Sequence, residues 1–197
     1  MLKKGFLFLG LLVSLPALAD VSVGAGYTFG GEMDDLNTEQ TYSVRSSPSY
    51  MAAFDFATNS GETRKRESFD NYVGALVSWQ NTEMDDQQST DVDVVYAHLT
   101  ASRRWHYENF ETFASGGAGM THFAASPGSD KQRFSISIGG GYFYHLSKNL
   151  DLKLEGRLYS TFVNEGTKIQ CGPGCEVTFT GSYWSQLGLN LGLNYRF

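Results

Sequence analysis

Four groups of side chains in this 197-residue chain are of types that could do chemistry. One tetrapeptide occurs twice, as Glu32-Met33-Asp34-Asp35 and Glu83-Met84-Asp85-Asp86. Carboxylates in such runs are hard oxygen donors of the kind that bind Ca²⁺ or Mg²⁺, which makes Glu32, Asp34, Asp35, Glu83, Asp85 and Asp86 candidate divalent-cation ligands. Solvated acidic loops that match by chance are the plainer reading. His122 with Ser126, Ser129 and Asp130 is a Ser/His/Asp mixture such as nucleophilic catalysis uses. Yet Ser126-Pro127-Gly128-Ser129-Asp130 is ordinary turn chemistry, and no catalytic residue is assigned. Asp55, His98, Lys153, Glu155 and Arg157 are ionisable groups that fall within apolar alternation, so a shared interior would pair them. Cys171 and Cys175 enclose Gly-Pro-Gly, whose glycines permit a tight loop; further metal ligands are missing nearby in sequence. The runs Gly116 to Gly119 and Gly139 to Gly141 sit in strand contexts, where small residues suit close packing, so they are not phosphate loops. No cofactor is implied.

Such groups need elements to position them, and the last eleven residues state the period. Leu187, Leu189, Leu191, Leu193, Tyr195 and Phe197 share one side of an extended strand, and Gly188, Asn190, Gly192, Asn194 and Arg196 the other, because successive side chains point to opposite faces. That pattern suits a boundary between lipid and a polar interior. The ending, with Asn190, Gly192, Tyr195 and Phe197, resembles the polar-x-Gly-x-x-apolar-x-aromatic insertion signal of bacterial outer-membrane β-barrels. At the other terminus Lys3 and Lys4 precede an apolar run from Phe6 to Leu15 and the small-x-small site Ala17-Leu18-Ala19, the plan of a secretory signal peptide. The run is shorter than the roughly 20 residues of a spanning helix. Residues 1–19 are therefore expected to be cleaved, leaving one domain over 20–197. No cysteine follows the cut, so a lipid anchor is not expected.

Cleavage removes two lysines and no acid, which takes the net charge from −6 to −8, a poor balance for binding nucleic acid. Export through an oxidising compartment makes a Cys171–Cys175 disulfide the expected state. Aromatics make up 14% of the chain and glycines number 22, at a mean hydropathy of −0.28. A barrel gives that combination, because only alternate residues meet lipid.

Period-two alternation between turn clusters predicts eight strands. They are Val21 to Phe29, Tyr50 to Ala57, Phe69 to Gln80, Val92 to Arg104, Phe110 to Thr121, a sixth through Phe134 and Tyr144, Leu150 to Phe162, and the closing strand. Apolar residues such as Val23, Phe54, Val77, Leu99, Ile138 and Leu154 face outward; the Gly- and Ala-rich fifth strand leaves its facing open. The tight links Trp105 to Asn109 and Ser147 to Asn149, with the moderate Thr58 to Ser68, belong to the periplasm. The longer Gly30 to Pro48, Asn81 to Asp91, Phe123 to Lys131 and Glu165 to Ser182 belong outside. Trp105, Tyr107, Tyr142, Tyr144, Tyr195 and Phe197 then ring one rim, and Trp79 and Tyr183 the other, as amphipathic rings prefer. The expected fold is all-β, an eight-stranded antiparallel up-and-down transmembrane β-barrel. A lipocalin-like soluble barrel, the rival, would place the apolar stripes inside.

Eight strands enclose an interior that side chains can fill. Asp55, His98, Lys153, Glu155 and Arg157, with Glu111, are expected to pair there, since unpaired burial of charge is costly. The result is a plug rather than an ion path. Both acidic tetrapeptides fall in external loops, where they could join the cations that bridge lipopolysaccharide phosphates. Arg64-Lys65-Arg66 falls in the first periplasmic turn as a solvated charge run.

Gly26 to Glu32, Asp93 to Leu99, Ala114 to Gly119, Phe134 to Gly141, Leu154 to Arg157 and the Cys loop before Ser182 to Gln186 together resemble a family of small Gram-negative outer-membrane β-barrel proteins. Its architecture is similar to the OmpA transmembrane domain and OmpX. Arg103-Arg104 departs from the aromatics usual there. The resemblance implies fold and compartment without an agreed activity. The expected protein is a non-enzymatic, monomeric barrel of the outer membrane, with an envelope-structural or surface-interaction role. Its partners would be membrane lipid, lipopolysaccharide and the barrel-assembly machinery. A narrow channel for small solutes and a lipid A-modifying enzyme are the alternatives.

Overall fold

The computed structural model describes residues 19–30, 32–35, 40–43, 45–62, 68–83, 91–126, 130–163, 168–172, 175–178 and 183–197. Residues 1–18, Arg64-Lys65-Arg66, Asp85, Asp86 and Ser129 lie outside that set. Twelve strands are present among the described residues: β1 (Ala19–Phe29), β2 (Glu32–Asp35), β3 (Gln40–Ser43), β4 (Ser47–Glu62), β5 (Ser68–Glu83), β6 (Asp91–His106), β7 (Phe110–Ser126), β8 (Asp130–His145), β9 (Leu150–Phe162), β10 (Lys168–Gly172), β11 (Cys175–Thr178) and β12 (Tyr183–Arg196). Eight of them close into a barrel in the order β1-β12-β9-β8-β7-β6-β5-β4, each antiparallel to its neighbours. This is the up-and-down barrel that the alternation predicts.

The facing predicted for the other seven strands, all but the fifth, also holds. Leu99 and Ile138, on the outside, are 76% and 67% exposed, whereas Glu155 and Arg157, on the inside, are 1% and 3% exposed. A soluble barrel has the opposite polarity, and exposed aliphatic stripes on this scale call for lipid as solvent. On β7, whose facing the sequence leaves open, Glu111, Phe113, Ser115, Thr121 and Phe123 are buried inside.

Two corrections concern the ends. The links Gly30 to Pro48 and Glu165 to Ser182, expected as loops, contain β2, β3, β10 and β11, which form a second sheet in the order β10-β11-β2-β3. The two hairpins meet where β11 pairs with β2, Val177 opposite Asp35 and Thr178 opposite Asp34. They rise from β1 and β12, the strands whose pairing closes the barrel, so their proximity follows from closure. The link Thr58 to Ser68, expected as a turn, is mostly strand: after an irregularity between Ala57 and Asn59 the β4–β5 ladder runs on to Glu62 opposite Ser68. The two tight periplasmic turns stand as expected; at the first, Tyr107 N–H donates to the Phe110 carbonyl at 2.9 Å.

The closing seam explains one residue of the C-terminal signature. Gly192 lies opposite Gly24, and a Cβ on Gly192 would sit 2.3 Å from the Val23 carbonyl oxygen. Only glycine lets these two strands approach so closely. Phe197 N–H donates to the carbonyl of Ala19 at 3.0 Å, a bond that belongs to the uncleaved chain, since Ala19 is the last residue expected to be removed.

Candidate functional site: the filled lumen

Strand alternation puts every second residue into the lumen, and those residues make a stack of layers. Near the outer mouth Val92, Val94, Phe123, Val163 and Trp184 are buried together, with Phe123 and Trp184 ring to ring, edge on, at 5.1 Å. Below them Tyr96 donates to Gln186 Oε1 at 2.8 Å, and Gln186 donates to the Gly30 carbonyl at 3.0 Å. Tyr96 also stacks on Tyr159 at 4.1 Å. The outer mouth is thus sealed by packing and neutral hydrogen bonds.

The middle layer holds four of the residues that sequence assigns to a lumen network. Glu155 lies between Lys153 Nζ, 2.7 Å away, and Arg157 Nε. Arg157 donates its other nitrogens to Ser137 Oγ at 3.0 Å and Ser115 Oγ at 2.6 Å. His98 Nδ1 meets the same Ser137 Oγ at 2.9 Å, and Nε2 meets Ser135 Oγ at 2.7 Å. His98 is therefore joined to the charged cluster through a hydroxyl. Room for the guanidinium comes from Gly139, where a Cβ would stand 2.9 Å from Arg157 Cζ.

Asp55, the fifth assigned residue, belongs to a different layer. It lies 3.1 Å from Arg104 Nη2, while Arg104 Nη1 pairs with Asp20. The Arg104 guanidinium is clasped between Tyr72 and Phe143, 3.9 and 4.4 Å from their ring centroids. Between the two charged layers remains a cavity of about 20 Å³, lined by Asp55, Arg104, Lys153 and Arg157 among others, room for about one water.

At the periplasmic mouth a third charged layer spans strands β5 to β9 and β12. Asp151 pairs with Arg196 at 2.7 Å and with His145 at 2.8 Å. Glu111 meets Arg196 and His106, each at 3.0 Å, and His106 reaches Asp70 at 2.9 Å. Arg104, Asp20, Asp70, Asp151, Arg196, His106 and His145 are the charged or titratable members that sequence reasoning left out of the network. Parity could have found them: counting inward from Val95, Ala97, Leu99 and Ala101 puts Arg104 inside.

No family model matches the chain, and no curated protein does. Among solved structures the fold is similar to Neisserial surface protein A, NspA, with a TM-score of 0.59 and 12% identity over 91% of this chain and 97% of that one. It is also similar to the outer membrane protein OprG from Pseudomonas aeruginosa, with a TM-score of 0.53 and 11% identity over 91% and 97%. This chain folds as a small outer-membrane β-barrel. Its apolar exterior and closed hydrogen bonding fit it to the outer membrane, where every backbone polar group facing lipid must be satisfied within the wall.

The remaining candidates of this outer-membrane barrel are spread around its outer end. Glu32, Asp34 and Asp35 form β2, on the second sheet, and Glu83 ends β5 opposite Asp91; Asp85 and Asp86 lie outside the described residues. His122 stands on the outward face of β7 opposite Gln132, Asp130 opens β8 opposite Ala124, and Ser126 lies opposite Asp91. Cys171 is on β10, and Cys175 begins β11 opposite Gly172. Of the insertion-signal residues, Asn190 is buried and Tyr195 and Phe197 are half exposed on the outside.

Proposed function

We propose that the protein is a closed outer-membrane barrel without catalytic activity, which acts in envelope structure or surface interaction through the outer-face sheet of β2, β3, β10 and β11. The observation that carries this reading is the filled lumen. Solute would have to displace the Phe123 and Trp184 layer and then separate three layers of ion pairs. Charges packed in a dry interior hold to their partners because separating them there is costly, so a steady wet path is disfavoured. In this reading the barrel is a monomer that takes no cofactor. Its external loops meet lipopolysaccharide, and the assembly machinery recognises its closing strand. A disulfide between Cys171 and Cys175 pins the β10–β11 hairpin.

The test is a planar-bilayer recording of the purified barrel, in which no steady conductance is expected. A steady current that Arg157→Ala abolishes would establish the narrow-channel alternative. Deletion of the gene should leave the mass spectrum of lipid A unchanged; a lost modification would establish the enzymatic alternative.

A further inference from the structure

The lipid-facing wall is not evenly clad. On β6 the outward residues run Asp93, Val95, Ala97, Leu99, Ala101, Arg103 and Trp105. Asp93 accepts hydrogen bonds from Trp79 Nε1 at 3.2 Å and Asn81 Nδ2 at 3.0 Å. Ten residues further on, Arg103 donates through Nε to Asn71 Oδ1 at 2.8 Å and covers the Phe69 ring, 4.3 Å from its centroid. At about 3.4 Å per residue and a tilt of about 40°, that separation is about 26 Å along the barrel axis, the height of an outward apolar band. Asp93 and Arg103 thus mark its two edges, with Arg103 at the periplasmic one, the level of phospholipid phosphates.

Just above Arg103 the wall is hollow. Val73, Ala101, Gly116 and Ile138 are in register across β5 to β8, and Asn71, Arg103, Ala114 and Gly140 form the row beneath. Small residues occupy the middle, while Val73 and Ile138 project at the sides. The outcome is a groove of about 710 Å³ that runs down to Arg103 and Trp105. A Cβ on Gly116 would meet nothing within 4 Å, so this glycine serves no close approach and leaves open space.

We propose that the groove binds one glycerophospholipid of the inner leaflet, with an acyl chain over Ala101, Ala114 and Gly116 and the phosphodiester accepting hydrogen bonds from Arg103. Charge complementarity selects this occupant. Among the described residues the terminal amino groups of Arg103 have no partner, and a phosphate suits a guanidinium in paired geometry. A second copy of the barrel on this face would instead press an uncompensated cation against apolar wall. The proposal rests on the wall's place in lipid and not on what the external loops do.

The test is native mass spectrometry of the purified barrel in mild detergent, titrated with dipalmitoylphosphatidylethanolamine or with dipalmitoylglycerol, which lacks the phosphate. One phosphatidylethanolamine should be retained per chain. Dipalmitoylglycerol, and the phospholipid on Arg103→Gln, should each bind about tenfold more weakly, the scale of one lost charge-assisted hydrogen bond. Gly116→Leu should abolish retention, and Ala25→Leu, on the opposite wall, should leave it unchanged. If Gly116→Leu does not fold, Gly116→Ala, a methyl in open space, should weaken retention several-fold. Equal retention by all variants, equal retention of both lipids, or a protein dimer that Gly116→Leu dissolves would each overturn the proposal.

Discussion

Arg104 binds together parts of the chain far apart in sequence: Asp20 from β1, Asp55 from β4, Tyr72 from β5 and Phe143 from β8. Its loss would leave two carboxylates buried without a counter-charge. Arg104→Ala should therefore destabilise the barrel by about 3–5 kcal/mol, read as a lower urea midpoint for unfolding from lipid vesicles. Arg104→Met combined with Asp20→Asn and Asp55→Asn should recover most of that loss, because it removes the charges along with the partner. The Lys153, Glu155 and Arg157 cluster was legible in sequence, since three charges at alternate positions between leucines can only share the polar face of one strand. Arg104 was legible only as parity, which puts it inside; nothing around it repeats the signal, because it lies beside Arg103 near the end of its strand. Its counter-ions sit on strands whose neighbours only barrel closure defines.

The barrel strands were legible as elements because lipid on one side and a packed lumen on the other enforce strict alternation. That enforcement stops at the membrane edge. The predicted strands accordingly end at Ala57, Gln80 and Thr121, whereas the ladders run on to Glu62 and Glu83 through polar residues and to Ser126 through His122, Phe123 and two alanines. The sequences of β2 and β3, Glu-Met-Asp-Asp and Gln-Thr-Tyr-Ser, carry no alternating pattern. Their pairing is fixed by the loops that barrel closure brings side by side. In β10 and β11 the one local sign was Cys-Gly-Pro-Gly-Cys, which falls at the hairpin end. With the two cysteines joined, the denatured protein prepared without reductant should show no titratable thiol. It should show two after reduction. Two thiols before reduction would remove the pin from this hairpin.

For the whole molecule, closure leaves the eight-stranded ladder without an edge, so detergent finds no place to begin unzipping it. The unboiled protein should migrate differently from the boiled one in a denaturing gel. A single position for both would contradict a closed barrel. Charge is partitioned in the same way as polarity: the ion pairs run down the lumen, and Arg103, at its rim, is the one cation on the outward face of β6.

The β2–β11 pairing has a consequence in time. It joins a hairpin that follows the first barrel strand to one that precedes the last, so it cannot form on a chain still being threaded into the bilayer. Susceptibility of the two hairpins to an externally added protease should therefore persist through insertion and fall only as the final seam shuts. In a pulse-chase of folding into vesicles, this protection should coincide with the shift in gel mobility. Protection that precedes the shift would mean that the hairpins dock on their own and draw the seam closed behind them.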